Sequence, residues 1–127
     1  MTDTTPLTIL VVEDDEVSRS SLVRAMQDAG YQTIQANDGQ SGLDAALAQH
    51  PDLILSDNLM PMLKGIEFLE KLRKDQWGSQ VPFILLTGHF DLEIVNDIIQ
   101  AGHTDFLVKD DTSLAQIVDT VRLRLSE

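Results

Sequence analysis

An α/β fold built on a five-stranded, doubly wound parallel sheet in strand order 2-1-3-4-5, covered by five helices, is what the sequence predicts. Three observations carry that prediction. Apolar runs of strand length alternate with helical patterns five times along 127 residues, and such a series builds a parallel sheet with helices on both faces. The connections are short, which favours right-handed crossovers. The first and third runs are continuously apolar rather than alternating, as strands buried on both faces are. In this order the switch point lies between the first and third strands, so residues leaving their carboxyl ends share one crevice.

Residues 7–12, LTILVV, make the first strand. Glu13, Asp14, Asp15 and Glu16 follow, and acids suit a helix N-terminus, where the macrodipole favours negative charge. The helix they open carries Leu22, Ala25, Met26 and Ala29 at spacings of three and four, and Gly30 stops it. Residues 31–35 form a second strand whose mixed pattern suits an edge. Asp38 and Ser41 are candidate caps for a second helix, which turns Leu43, Ala46 and Leu47 inward and ends at His50 and Pro51. Residues 53–56 are an apolar run too short for a helix; this third strand delivers Asp57 to a loop rich in turn formers, Asn58, Pro61 and Gly65. The helix after Gly65 points Ile66, Leu69 and Leu72 inward and loads its C-terminal end with Lys71, Arg73 and Lys74. Trp77 sits in the next connection as a partly exposed anchor. Residues 81–86 form the fourth strand, from which Thr87, Gly88 and His89 emerge. A helix from about Asp91 buries Leu92, Val95 and Ile98 or Ile99 and ends at Ala101 and Gly102. Residues 105–108 form the fifth strand, which emits Lys109. The last helix, from about Thr112, sets Leu114, Ile117, Val118, Val121 and Leu125 on one stripe, with Leu123 off it.

One domain is expected across residues 1–127, its core spanning about 7–125, with no output domain. Hydrophobic content of 43% and charged content of 24% are ordinary for a soluble globular chain. The formal charge of −12, with only nine scattered Lys and Arg, argues against a nucleic-acid or anionic-membrane surface. No apolar run approaches the length of a membrane span, and the first six residues lack the basic start and apolar core of a signal peptide, so a cytoplasmic location is expected. The absence of cysteine removes disulfides, thiolate metal ligands and a Cys nucleophile together. Chemistry falls to oxygen and nitrogen groups.

Glu13 and Asp14 after the first strand and Asp57 after the third are therefore expected to meet, with Thr87 and Lys109 reaching the same crevice from the fourth and fifth strands. Carboxylates about 4 Å apart repel by about 4 kcal/mol per pair at an effective dielectric of about 20. A proton or a cation must relieve that repulsion. A hard divalent ion such as Mg²⁺ takes oxygen ligands and often uses only one or two carboxylates plus a phosphate oxygen, which describes a site awaiting a phosphoryl group. Asp57 is then a candidate nucleophile, Lys109 a cation clamp and Thr87 a neutral donor.

Those residues carry a resemblance. Glu13-Asp14, Asp57 with Met60-Pro61, Thr87-Gly88, and Phe106 with Lys109, at these intervals in one βα series, are similar to the receiver domain of two-component response regulators, over nearly the whole chain. The resemblance implies a flavodoxin-like fold in which Asp57 accepts a phosphoryl group from a sensor histidine kinase or phosphotransfer protein. It implies Mg²⁺ held by Glu13, Asp14, Asp57 and the backbone carbonyl of Leu59, with Thr87 and Lys109 serving catalysis. Phe106 falls at the family's aromatic switch, which turns inward as the Thr87 hydroxyl moves to the phosphate. The output surface would be the helix from about Asp91, the fifth strand and the last helix, facing a downstream effector protein or domain, with dimerisation on phosphorylation as one outcome. Such a chain is no enzyme beyond its own phosphorylation and dephosphorylation, and neither nucleic acid nor membrane is a partner of this domain.

Departures from the family pattern bear on function. Asp110 follows Lys109 where the family usually has a proline, so a trans bond and an altered loop into the last helix are expected. Phe at position 106, where a Tyr is frequent, removes a hydroxyl. Leu59 and His89 occupy positions that tune phosphoryl lifetime, and an apolar Leu59 cannot orient an attacking water, which predicts slow self-hydrolysis. Among rival functions, an aspartate-nucleophile phosphatase needs a second acid where Leu59 stands. A flavin mononucleotide carrier needs a phosphate loop where Glu13 to Glu16 would repel one. The strongest rival is a receiver-like interaction module that works without phosphorylation.

Overall fold

Five strands, of which the central three are rich in Leu, Ile and Val, pair in parallel in the order β2-β1-β3-β4-β5. They are β1 (Thr8–Val12), β2 (Gln32–Ala36), β3 (Leu53–Asp57), β4 (Phe83–Thr87) and β5 (Thr104–Val108). The computed structural model describes residues 5–60, 62–88, 96, 98, 100 and 102–126. The predicted strand order holds, and the edge position expected for β2 is the one it takes. β1, β3 and β4 are buried almost throughout, as strands covered on both faces must be.

Side chains alternate across this sheet and divide the core in two. Leu10, Val12, Ile54, Phe83 and Leu85 face α2 (Gly39–Gln49) and α3 (Gly65–Arg73), with Ile98 joining them. Ile9, Val11, Leu53, Leu55, Ile84 and Leu86 face α1 (Glu16–Asp28) and α4 (Leu114–Leu125). Phe68 of α3 and Phe83 of β4 meet edge to face, with ring centroids 5.3 Å apart.

Several expectations are corrected. Asp57 is the last residue of β3 rather than the first of a loop, because its backbone still pairs with β4 opposite Leu86. Of the acids after β1 only Glu16 lies in the helix, while Asp15 is at the helix start as expected, an N-cap that accepts from the Ser18 N–H at 2.8 Å. Leu47 is 39% exposed, not inward, because α2 approaches the core through its glycines. A Cβ on Gly42 would lie 2.9 Å from Val12 Cγ2, and one on Gly39 would collide with the Leu63 carbonyl. Leu114 is 44% exposed, so the buried stripe of α4 narrows to Ile117 and Val121, with Val118 and Leu125 packed beside them. Asn96, Ile98 and Gln100 are helical, as expected, while Asp91, Leu92, Val95, Ile99 and Ala101, with Pro61 and His89, lie outside the described residues.

At the amino ends of the strands, α3 is tied to its surroundings by Arg73. The guanidinium donates to the carbonyls of Gly78 at 2.8 Å, Val81 at 2.7 Å and His103 at 3.0 Å, and to Thr104 Oγ1 at 3.0 Å. Burial lowers its pKa to about 10, which leaves it charged at neutral pH. His50 closes α2 in the left-handed region and stacks on Trp77, centroid to centroid 4.2 Å, so Trp77 is the anchor the sequence suggests.

Candidate functional site

Strand register assembles the site. Val12 pairs with Ser56, so Glu13 and Asp57 come next to each other at the carboxyl edge of β1 and β3. Asp57 pairs with Leu86 and Thr87 with Val108, which carries Thr87 and Lys109 outward in steps along the same edge. Alternation in β5 then puts Phe106 on the face of Leu85 and Thr87, half-buried against the core beneath α2 and α3.

The side chains of Glu13, Asp14, Asp57 and Lys109 come together at this edge. Ligand oxygens of Glu13, Asp14 and Asp57 all lie within 4.8 Å of one another. Glu13 is 2% exposed and Asp57 7%, whereas Asp14 faces solvent. Lys109 Nζ stands 3.3 Å from Glu13 Oε1 and 3.4 Å from Asp57 Oδ1. The Asn58 N–H donates to Asp57 Oδ1 at 2.9 Å, and Thr87 is buried at the end of β4. Leu59 is 61% exposed in the turn after β3 while Met60 turns into the core.

Electrostatics follow from that crowding. Burial first, and the Asp57 carboxylate second, raise the Glu13 pKa to about 7, with Lys109 opposing. For Lys109, burial alone would lower the pKa, but the Asp57 and Glu13 carboxylates outweigh it and hold the ammonium above its usual value. One cation thus serves two carboxylates. Glu13 Oε2 is buried and has no hydrogen-bond partner among the described residues. A buried carboxylate oxygen left in that condition is costly, and three carboxylates within reach of one point are a hard-oxygen donor set. The residues present therefore fit a small divalent cation.

Two residues read only as turn formers have larger parts. Asn58 Oδ1 accepts from the Ile66 N–H at 3.0 Å and the Asn58 carbonyl from the Gly65 N–H at 2.9 Å, which closes the loop after β3 onto α3. Gly65 must be small: a Cβ there would collide with the Asp57 carbonyl. No cis peptide occurs among the described residues, so the bond after Lys109 is trans as expected. The altered loop is a 3-10 turn, Lys109–Asp111, and Ser113 caps α4 by accepting from the Gln116 N–H at 3.1 Å.

The sequence matches the response regulator receiver domain family over residues 9–122. Transcriptional regulatory protein FixJ of Bradyrhizobium diazoefficiens is 34% identical over 117 residues, which cover 90% of this chain and 56% of FixJ. The chain thus spans about half the length of that relative. Polar-differentiation response regulator DivK of Brucella ovis is 28% identical over 119 residues, 94% of this chain and 96% of DivK. Among solved structures, the receiver domain of a sensor histidine kinase from Pseudomonas aeruginosa PAO1, with a magnesium ion coordinated in its active-site cleft, superposes with a TM-score of 0.86. That match has 27% identity and covers 97% of this chain and 100% of the other.

Proposed function

The chain belongs to the response regulator receiver domain family, and from that premise we propose that it accepts a phosphoryl group on Asp57 from a sensor histidine kinase or phosphotransfer protein, in a Mg²⁺-dependent reaction. The observation that carries this reading is the gathering of Glu13, Asp14 and Asp57 oxygens within 4.8 Å, with Lys109 Nζ 3.4 Å from Asp57. Glu13, Asp14, Asp57 and the backbone carbonyl of Leu59 would hold the ion. Bound Mg²⁺ supplies neutralisation of the carboxylates and of the phosphoryl oxygens.

In the transfer, an Asp57 carboxylate oxygen bonds to phosphorus as the bond from phosphorus to the donor histidine nitrogen breaks. The electron pair stays with that nitrogen, and the imidazole takes up a proton. Lys109 then turns from the two carboxylates to a phosphoryl oxygen, and the Thr87 hydroxyl donates to another. The protein catalyses only this transfer and its own dephosphorylation, in which water attacks phosphorus, the bond to the Asp57 oxygen breaks and inorganic phosphate leaves; it acts as a signal carrier rather than an enzyme on a separate substrate. Phosphorylated Asp57 carries more charge and more acceptor oxygens, which biases the loops after β3 and β4 toward the arrangement Thr87 and Lys109 stabilise. Phe106, on the face of Thr87, turns inward with it. The change reaches a downstream effector through the segment containing Asn96, Ile98 and Gln100 together with β5 and α4, with dimerisation as one readout.

The acidic balance keeps this domain from nucleic acid, and no helix among the described residues is long and apolar enough to cross a membrane. The proposed setting is the cytoplasm. Incubation with acetyl phosphate and Mg²⁺, followed by intact-mass measurement, tests the reading. The expected result is a gain of one phosphoryl group that is lost with chelator and in Asp57→Asn. No gain, or a gain that survives Asp57→Asn, would favour an interaction module that works without phosphorylation.

A further inference from the structure

We infer that Arg19 is a positioning residue for the cation site, acting through the main chain of Glu13; this rests on the metal-dependent reading of that site. Glu13 and Asp14 occupy the two positions between β1 and the Asp15 cap of α1. Gathering the Glu13, Asp14 and Asp57 carboxylates within 4.8 Å of one another is opposed by their like charge, so the backbone must be held if they are to face one point. The Glu13 N–H donates to the Ala36 carbonyl of β2 at 3.1 Å. Its carbonyl accepts from Arg19 Nη1 at 2.9 Å, in a part-buried contact. Both main-chain groups of Glu13 are thereby engaged, and the direction in which its side chain leaves is set.

Arg19 is itself held at both ends. Its N–H donates to the Asp15 carbonyl at 2.9 Å in the first turn of α1, and its Nε donates to Gln35 Oε1 of β2 at 3.4 Å. A guanidinium fork can serve two acceptors in different directions at once, which one ammonium on a flexible stem does less well. Arg19 therefore joins α1, the acidic loop and β2. By charge alone it would repel an incoming divalent cation, so removing it should tighten binding if charge were its only influence. Positioning predicts the opposite sign.

The test measures Mg²⁺ dissociation constants by calorimetry on the full chain for wild type, Arg19→Met, Arg19→Lys and Gln35→Ala. Amide exchange at Glu13 and urea melts in chelator accompany the titrations. Loss of a residue that orients a metal ligand typically weakens binding about tenfold, and Arg19→Met is expected to do so. Arg19→Lys should recover part of the loss, and Gln35→Ala should show a smaller loss in the same direction. The Glu13 amide should exchange faster in Arg19→Met while amides of β3 and β4 keep their protection. Phosphorylation by acetyl phosphate should fall at low Mg²⁺ and recover at saturating Mg²⁺, a pattern that general destabilisation does not produce. Arg19→Met that binds Mg²⁺ as well as wild type, or more tightly, overturns the assignment of Arg19 alone. Wild type that takes up neither Mg²⁺ nor a phosphoryl group overturns the functional reading and this inference with it. Should Arg19→Met fail to fold, Gln35→Ala decides: weakened binding supports the role, unchanged binding overturns it.

Discussion

Lys109 is the residue on which the charge balance turns. It faces Glu13 at 3.3 Å and Asp57 at 3.4 Å, so Lys109→Met should destabilise the metal-free protein by about 1–3 kcal/mol in urea melts at neutral pH. Phosphoryl uptake should fall in the same variant even where the fold survives. Glu13 gives a pH dependence with a definite sign. Its pKa rises from 4.5 to about 7 on folding, so below pH about 4.5 the proton is bound in both states, and between the two values it is bound in the folded state alone. The stability this group contributes is complete at low pH and is lost as pH climbs through about 7. Urea midpoints measured in chelator should reflect that loss between pH 5 and 8, and Mg²⁺ affinity should increase over the same window because the cation displaces the proton. Leu59, exposed beside the site, offers no group to orient water; Leu59→Asn should speed loss of the phosphoryl group about tenfold or more, read as mass decay after removal of the donor. Glu13, Asp14, Asp57 and Lys109 were legible in the sequence because a charged group at the end of an apolar strand stands out. Arg19 and Asn58 were not legible as site residues, because each works through main-chain hydrogen bonds that leave no hydropathic or charge pattern.

At the scale of elements, β3 and α3 form the support on which Asp57 rests. Gly65 begins α3 where a Cβ would strike the Asp57 carbonyl and lie 2.9 Å from Asn58 Cα. Gly65→Ala should therefore cost about 1–3 kcal/mol and, on the proposed function, also slow phosphorylation, since relief of the clash has to shift the backbone of Asp57 itself. Phe68, fully buried against Phe83, supports the same helix from below; Phe68→Ala should cost about 3–5 kcal/mol in denaturant melts and leave the distances among the acids unchanged if the fold persists. The strands were read from their apolar runs to within a residue or two at each end. α2 was misjudged on Leu47 because a helix that approaches the sheet through Gly39 and Gly42 buries backbone rather than large side chains. Periodicity counts large side chains and passes over such a contact.

At the scale of the whole molecule, one sheet edge collects Glu13, Asp14, Asp57 and Lys109 from the ends of three strands far apart in sequence, β1, β3 and β5, so folding and site assembly are one event. The order β2-β1-β3-β4-β5 could be foreseen because alternating elements and short connections leave few other arrangements. The faces on which α1 and α4, or α2 and α3, would lie follow from the handedness of those connections. Because the proposed cation site would be assembled only in the folded chain, Mg²⁺ at about 100 times its dissociation constant should stabilise the protein by about 2.7 kcal/mol. Thermal melts with and without Mg²⁺ check this, and the stabilisation should shrink in Asp57→Asn.

The Arg73 guanidinium, with four acceptors drawn from the stretch before β4 and the start of β5, has a consequence at the opposite pole from the acids. It rivets the foot of α3 to the feet of two strands using neutral oxygens alone, so no change in protonation near neutrality can loosen that joint. Amides around that joint should therefore keep their exchange protection when Asp57 is charged with a phosphoryl group, so that any rearrangement of the crown pivots on this footing; hydrogen exchange with and without acetyl phosphate reads it.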